Sequence, residues 1–343
     1  MSLLDSAVTG APLERREGLL RGYLPVVLAV LVLGLVPPLA GGSRYLVSVA
    51  TLLVVLVTYG VAFNVVFGGT GQLLLCIGAL AAVAAYTSAL LSGELGWPLA
   101  ITLPLGVALA TTGGAALSWL AVRRRLDTIF VGVVTLTASL VVHNLLLGRR
   151  ELTGGETGLV VQAGSGTALR DPVLGYYAVL ALLAVGLAGH RAIQRSALGW
   201  AFRAIRDDAE AAALAGIDVA RTKVLAAAVA SALAGAAGSL YAHVEGFVSP
   251  TTFAFATVDV RVIVAVAFGG LGTLLGPVVG GVVVTLLDEV LRPLGQLRLA
   301  VYGAVLLVLF LAVPRGAVPA VGWSWHRATA RWRGRGTSPA GGR

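Results

Sequence analysis

The chain has 343 residues, of which 57% are hydrophobic and only 12% are charged. A soluble domain usually carries about a quarter charged residues, so this composition excludes a water-soluble globule and predicts a membrane protein. The formal net charge of +9 comes almost entirely from arginines beside apolar runs, with Lys223 as the only lysine, which favours membrane topology over nucleic-acid binding. Cys76 is the single cysteine, so no disulfide can form within the chain, and a metal or redox site is not expected.

Nine apolar runs, one of them interrupted, predict an all-α polytopic membrane protein, since barrel strands would alternate apolar and polar residues. A membrane-spanning helix needs about 20 apolar residues. The pattern therefore predicts about 8–10 transmembrane helices, some broken at Gly-rich turns. The runs are Leu24–Ala40, Tyr45–Phe67, Leu73–Leu91, Pro98–Val122, Thr128–Leu147, Val173–Gly189, Val224–Val244, an interrupted run at Val260–Leu291, and Leu299–Val313.

The distribution of basic residues predicts the orientation. With a cytoplasmic N-terminus, 18 of the 25 Lys and Arg residues fall on the cytoplasmic side, as the positive-inside rule requires. A cytoplasmic C-terminus then requires the run Val260–Leu291 either to cross twice as short helices or to re-enter and leave on one face. The predicted organisation is a cytoplasmic N-terminal segment 1–23, a transmembrane domain 24–316 with a cytoplasmic loop 190–223, and an Arg/Gly-rich cytoplasmic tail 317–343. A cleaved signal peptide is the alternative interpretation of the first run.

Loop 190–223 is the only long, densely charged segment of the chain. Asp207 and Glu210 stand at the spacing of a capping box, and Ala209–Ala215 are strong helix formers. Gly216 is suited to a left-handed helix stop, and Asp218 can cap the next helix. The pattern predicts a short helix of about 12 Å held off the membrane. A helix of this kind is suited to docking on a partner; the alternative is a solvated loop whose arginines only set topology.

The same loop carries a family resemblance. Glu210-Ala211-Ala212, followed after three residues by Gly216, resembles the EAA loop of ABC importer permeases. The stretch Gly199–Lys223 is similar to LivM, the branched-chain amino acid permease family, although the Ile-x-Leu-Pro ending of the general EAA pattern is absent. The resemblance covers about Tyr45–Leu291 and includes Gly68–Leu73, Leu152–Leu159, Gly246–Pro250 and Gly269–Thr273.

The resemblance implies the membrane-spanning permease subunit of an ABC importer in the bacterial inner membrane. Such a subunit translocates branched-chain amino acids or related small polar solutes by alternating access, and it has no catalytic residues, metal or cofactor, because separate ATPase subunits bind the ATP. The implied partners are a second permease (LivH-like) or a copy of itself, two cytoplasmic ATPase subunits, an extracytoplasmic solute-binding protein and the lipid bilayer. The residues implied in ATPase coupling are Arg203, Arg206, Asp207, Glu210, Ala211, Ala212 and Gly216.

Two glycine-rich stretches suggest an internal repeat. The first glycine segment, Phe67–Leu74, and the second glycine segment, Phe268–Leu275, agree at six of eight positions. Shared turn chemistry or chance is the alternative explanation. If both segments break helices at depth, their backbone N–H groups can face a solute. The residues predicted to line this translocation path are Gly69, Thr70, Gln72, Gly269, Gly270, Gly272 and Thr273.

Two other classes of protein compete with this interpretation. A self-contained secondary transporter of small amino acids or amides would need ionisable groups buried in its spans. The candidates Glu245, Asp259, Asp288 and Glu289 lie at predicted ends or breaks instead. A membrane enzyme is disfavoured because neither His-Glu-x-x-His nor Gly-x-Ser-x-Gly occurs. The chain also has no phosphate-binding Gly-x-x-x-x-Gly-Lys-Ser/Thr loop, so an ATPase would have to be another polypeptide.

Overall fold

The computed structural model describes residues 11–161, 167–294, 297, 301, 303 and 304. Helices account for most of this part of the chain. Residues 1–10 of the N-terminal segment, most of the predicted run Leu299–Val313 and the predicted tail 317–343 lie outside the described residues. The longer helices are α1 (Ala11–Gly34), α3 (Arg44–Phe63), α4 (Ile77–Glu94), α5 (Leu99–Arg123), α6 (Thr128–Gly148), α8 (Pro172–Arg195) and α11 (Val219–Glu245). The shorter helices are α2 (Val36–Leu39), α7 (Arg150–Thr153), α9 (Ala197–Asp207), α10 (Ala209–Leu214), α12 (Asp259–Gly269) and α13 (Gly276–Val290).

Seven helical stretches among the described residues are long and apolar enough to cross a membrane. They confirm the first seven apolar runs and the all-α class. The second stretch combines α3 with a π-helical extension at Asn64–Gly68. The seven are Gly22–Leu39, Arg44–Gly68, Ile77–Glu94, Leu99–Arg123, Thr128–Gly148, Pro172–Arg195 and Val219–Glu245.

The interrupted run Val260–Leu291 forms an antiparallel hairpin of α12 and α13. At about 1.5 Å per residue, α12 is about 16 Å long and α13 about 22 Å, so each is shorter than the hydrocarbon core of about 30 Å. The two helices pack at glycines, where a Cβ added to Gly280 would lie 1.7 Å from the carbonyl oxygen of Ala265. The break predicted within the run Val260–Leu291 is therefore confirmed, and it is the turn of this hairpin between Gly269 and Gly276.

Helices α4, α5 and α11 pack closely against one another. Small residues permit this approach: a Cβ added to Gly106 would lie 2.6 Å from the Ala84 carbonyl oxygen, and one added to Gly238 would lie 2.4 Å from that of Ala81. Lipid tails are as apolar as the helix surfaces, so the hydrophobic effect does not drive helices together within the bilayer. Close van der Waals packing of this kind stabilises the association of the spans instead. This packing fixes the position of α11, whose first residues are also the last residues of loop 190–223.

A two-stranded ribbon joins the ends of α6 and α11. Strand β1 (Leu159–Val160) pairs antiparallel with β2 (Phe247–Val248), with Leu159 opposite Val248. Arg170 donates a hydrogen bond to the carbonyl oxygen of Val161 and extends this connection. The remaining short elements are 3₁₀ turns at Gly155–Thr157, Thr167–Arg170, Pro250–Phe253 and Arg292–Leu294.

Candidate functional site

The loop between α8 and α11 folds into two helices, α9 and α10, that meet at Asp208. The Asp208 carboxylate caps α10 by accepting hydrogen bonds from the backbone N–H groups of Glu210 (2.8 Å) and Ala211 (3.0 Å). The sequence prediction that Asp207 fills this position is wrong by one residue. Asp207 is the last residue of α9, and the chain leaves the helical conformation only at Asp208, whose φ is −159°.

The C-terminal end of α10 confirms the predicted glycine stop. Gly216 has a φ of +86°, and the N–H of Ile217 returns to the carbonyl oxygen of Ala212 at 3.0 Å. The predicted cap of the next helix is also confirmed, since the Asp218 carboxylate accepts from the N–H of Arg221 at 2.9 Å. With six residues, α10 is about 9 Å long, slightly shorter than the sequence predicts.

The exposed face of α10 carries mostly small side chains, with one large apolar side chain at its end. Glu210, Ala211 and Gly216 are exposed, and Leu214 is 91% exposed. Ala212 lies on the opposite face and is buried. Of the four residues that resemble the EAA loop, Glu210, Ala211 and Gly216 therefore lie on the exposed surface. Ala212 packs α10 against the protein.

Helix α9, which sequence reasoning missed, lies between α10 and the transmembrane helices. Phe202 and Ile205 are buried on one face of α9. The only sequence signal for this face is the three-residue spacing of Gly199, Phe202 and Ile205. The Arg206 guanidinium donates to the carbonyl oxygen of Gly68 at 2.8 Å, and that of Arg203 donates to the carbonyl oxygen of Gln194 at 3.3 Å. Helix α9 thus connects α10 directly to the first glycine segment.

The two glycine segments meet beside α9. The Asn64 amide donates to the carbonyl oxygen of Thr273 and accepts from the N–H of Gly272, both at 2.8 Å. Gln194, near the end of α8, donates to the carbonyl oxygen of Gly272 at 3.3 Å. A small cavity of about 110 Å³ lies at this junction, between α8, α9 and both glycine segments.

The residues predicted to line a translocation path lie in or beside this junction, and several of them are paired within the protein. Thr70 is buried and donates to the carbonyl oxygen of Val66 at 2.9 Å. Gln72 is buried against Ser118, with 3.0 Å between their hydrogen-bonding atoms. Gly69, Gly269, Gly270, Gly272 and Thr273 complete the two segments. That these residues line a translocation path stays a prediction.

The part of the chain that the structure describes contains no cluster of three or more potential metal ligands.

Comparison with known proteins identifies the family. A family model described as branched-chain amino acid transport system / permease component matches residues 45–314. The chain is 30% identical over 303 residues to the high-affinity branched-chain amino acid transport system permease protein LivM of Escherichia coli (strain K12), a match covering 81% of this chain and 71% of that protein. LivM of Salmonella typhimurium is 29% identical with the same coverage.

Another relative, which matches a shorter stretch of the chain, is named for a different solute. The autoinducer 2 import system permease protein LsrC of Klebsiella pneumoniae is 38% identical over 119 residues, which cover 33% of each chain. No solved structure matches the chain. The family match, the LivM relatives and the seven candidate spans agree with one another. The chain therefore belongs to the family of permease components of branched-chain amino acid transport systems, and it is a multi-pass inner-membrane transport protein and not an enzyme.

Proposed function

We propose that the chain is the permease subunit of an ATP-driven importer for branched-chain amino acids or related small polar solutes, and that α10 is its cytoplasmic contact with a separate ATPase subunit. The names of the LivM relatives support the solute class. The proposed assembly contains a second permease or a second copy of this chain, two ATPase subunits and an extracytoplasmic binding protein. The observation that carries the coupling role is the hydrogen bond from Arg206 to the Gly68 carbonyl oxygen, which links the loop helices to a broken membrane helix.

The surface of α10 supports docking on a partner. An exposed large apolar side chain at the end of a short helix, surrounded by alanines, can enter an apolar groove with little steric conflict. Leu214 provides that side chain, and Ala211 and Ala213 are exposed beside it. The carboxylate of Glu210 stands in the first turn, where the helix dipole favours negative charge. A groove with a basic rim would complement this surface.

The attachment of α10 supports transmission of movement. A short helix transmits force only if its ends are held, and Asp208 and Gly216 hold the two ends of α10. Below it, the buried side chains of Phe202 and Ile205 fix α9 against the protein. A push on α10 would therefore move α9 and, through Arg206, the first glycine segment. Alternating access requires coupling of this kind between a driven element and the spans.

Charge reversal on α10 tests the contact. We expect Glu210→Arg to remove most of the ATPase that co-purifies with the affinity-tagged permease, because it places a positive charge against the proposed basic rim. Gly216→Leu should do the same by distorting the end of α10, since a side chain at this positive φ is strained by about 1–2 kcal/mol. Both variants should still insert into the membrane in wild-type amounts.

Matched controls are available where α4 leads into α5. Glu94 is exposed, like Glu210, and Gly96 has a φ of +63° with no atom within 4 Å of an added Cβ, as is also true of Gly216. Glu94→Arg and Gly96→Leu should therefore retain the ATPase. Retention of wild-type amounts of ATPase by Glu210→Arg and Gly216→Leu would contradict the proposed role of α10, and equal loss in the controls would attribute the effect to general damage.

A further inference from the structure

The turn that joins α5 to α6 carries three consecutive arginines, Arg123, Arg124 and Arg125, and all three are exposed. None of them forms an ion pair with a residue that the structure describes. The exposed Asp127 lies in the same turn, so three positive charges and one negative charge leave it a formal charge of +2. Guanidinium groups without an ion pair keep N–H donors available for an acceptor from outside the protein. We call residues 123–127 the arginine turn.

The backbone of the arginine turn favours glycine at the position of the third arginine. The N–H of Arg125 donates to the carbonyl oxygen of Val122 at 3.0 Å, and the next N–H donates to that of Ala121, also at 3.0 Å. These two bonds form a Schellman motif, whose left-handed residue is usually glycine, and the same motif ends α10 with Gly216 at that position. Arg125 instead has a φ of +50° and is the one described non-glycine residue with a positive φ. An arginine at any nearby position would satisfy the positive-inside rule, so that rule does not explain an arginine at this strained one.

The arginine turn lies beside apolar side chains that are exposed on the two spans. Trp119, one helical turn before Arg123, is 51% exposed, and Phe130, in the first turn of α6, is 61% exposed. Tryptophans exposed at the ends of spans lie at the level of the lipid headgroups. The guanidinium carbon of Arg123 is 5.0 Å from the centre of the Trp119 ring. Positive charge beside exposed apolar groups matches a lipid with an anionic headgroup better than it matches an acidic protein surface in water.

The end of α5 that leads into the arginine turn also contacts the first glycine segment. Ser118, next to Trp119, is buried, and its hydroxyl oxygen lies 3.0 Å from the Gln72 amide nitrogen. A Cβ added to the neighbouring Gly71 would lie 3.6 Å from the Arg206 side chain of α9. The arginine turn is therefore at the same end of the bundle as α9, and a ligand bound to it would restrain the part of α5 that holds the first glycine segment.

We propose that the arginine turn binds the phosphate group of an anionic phospholipid, in the leaflet on the side of α9 and α10. The guanidinium groups of Arg123 and Arg124 donate hydrogen bonds to the phosphate oxygens, and Arg125 adds positive charge. Arginine is suited to this role because its planar guanidinium group can stack on an aromatic ring and still donate to phosphate. The acyl chains of the lipid lie against Trp119 and Phe130. No solute or ATPase contact enters this inference, so it does not rest on the proposed function.

Lipid titration followed by native mass spectrometry tests the site. The full chain, purified in a neutral detergent, is titrated with phosphatidylglycerol or with zwitterionic phosphatidylcholine that has the same acyl chains. We expect phosphatidylglycerol to bind at least about tenfold more tightly, because each arginine near a membrane surface favours an anionic lipid by about fivefold. Arg123→Gln and Arg124→Gln should each weaken phosphatidylglycerol binding by about fivefold and leave phosphatidylcholine binding unchanged.

A matched control removes an arginine from the same end of the bundle. Arg221 is also exposed, but it is paired with Asp218 at 3.1 Å. Arg221→Gln should therefore bind both lipids as the wild type does. If Arg221→Gln weakens phosphatidylglycerol binding as much as Arg123→Gln does, the effect belongs to the overall charge of the protein, and the arginine turn is not a site.

Arg125→Gly separates lipid binding from a structural role of the turn. Glycine adopts the positive φ without strain, so the unfolding midpoint in lipid-free detergent should be unchanged or higher. Phosphatidylglycerol binding should nevertheless weaken by about fivefold, because a positive charge is lost. A lower unfolding midpoint together with unchanged lipid binding would show that Arg125 serves the fold and would contradict the inference.

Three further results would overturn the proposed lipid site. The first is equal affinity of the wild type for the two lipids, and the second is displacement of phosphatidylglycerol by excess inorganic phosphate, which would make a free anion the ligand. Phosphate should not displace the lipid, because the acyl chains also contribute to binding. The third is unchanged lipid binding by the arginine variants with loss of the co-purifying ATPase, which would make the turn a contact with protein.

Discussion

The two glycine segments share six of eight residues and yet have different conformations. The first continues α3 through a π-helical extension and then runs without regular secondary structure from Gly71 to Cys76 before α4 begins. The second is the tight turn of the α12–α13 hairpin. Gly272 and the equivalent Gly71 have nearly the same φ (+74° and +73°), whereas Gly270 has a φ of +119° and the equivalent Gly69 a φ of −84°. A shared glycine pattern therefore specifies that a helix breaks, but it does not specify what the chain does after the break.

The hydrogen bonds made after each break also differ between the two segments. In the second glycine segment, Thr273 stays local: its hydroxyl donates to the carbonyl oxygen of Gly270 at 2.8 Å and accepts from the N–H of Gly276 at 3.0 Å, which closes the turn. The equivalent Gln72 instead pairs with Ser118 on α5. Backbone groups within lipid must find partners inside the protein, so the position of the partner decides the path of the chain.

Partners from distant helices hold the irregular stretch after the first break. The N–H of Leu75 donates to the Thr135 hydroxyl on α6 at 2.9 Å. The N–H of Ile77 donates to the Asp259 carboxylate at 2.7 Å, so the first residue of α12 caps the start of α4. This arrangement gives the buried Asp259 a structural role, in contrast to the ion-coupling role that a secondary transporter would require of such a group.

The largest effect should come from breaking the contact between the two segments. Asn64→Ala removes both hydrogen bonds to the second segment and leaves the N–H of Gly272 and the carbonyl oxygen of Thr273 unpaired, at a cost of about 1–3 kcal/mol for each group. We expect a strongly lowered unfolding midpoint for the purified protein in mixed micelles. Asn144→Ala is the control, because within the described part of the chain the exposed Asn144 amide bonds only within its own helix. Equal stability of the two variants would show that the segments do not depend on each other.

A loss of stability of intermediate size should distinguish Gly270 from Gly69, which occupies the equivalent position in the first glycine segment. Gly69 has a φ of −84° and Gly270 a φ of +119°. Gly270→Ala should therefore destabilise the protein by about 1–3 kcal/mol through backbone strain. Gly69→Ala should cost less, since alanine adopts this φ without strain and the nearest atoms to its added Cβ belong to the Phe202 side chain, at 3.0 Å. Similar losses of free energy of unfolding for the two would contradict the difference in backbone conformation.

The smallest effect should come from the turn hydroxyl. Thr273→Ala removes the side chain that accepts from the N–H of Gly276, and helix-capping groups of this kind contribute about 0.5–2 kcal/mol. Thr137→Ala is the matched control, because the exposed Thr137 hydroxyl bonds, among the residues that the structure describes, only to the carbonyl oxygen of Val133. If Thr273→Ala unfolds no more easily than Thr137→Ala, the local closure of the second segment does not depend on this hydroxyl.

The sequence alone predicted the features that depend on neighbouring residues. The length of an apolar run decides whether a helix can cross the bilayer, so the first seven runs could be placed without a structure. The Gly216 stop and the Asp218 cap are equally local, because each acts within a few residues of its helix end. The error at Asp207 shows the limit of this reasoning: the start of α10 depends on where the unrecognised α9 ends.

Only the tertiary structure decided which distant groups become partners. Asn64 and Thr273 are separated by 209 residues, and Ile77 and Asp259 by 182, so no pattern of spacing relates them. A cavity of about 430 Å³ likewise lies between α3 and a hairpin more than 200 residues away. The reason is physical: helix formation is decided by local sequence and lipid, whereas the pairing of buried polar groups depends on which helices pack side by side.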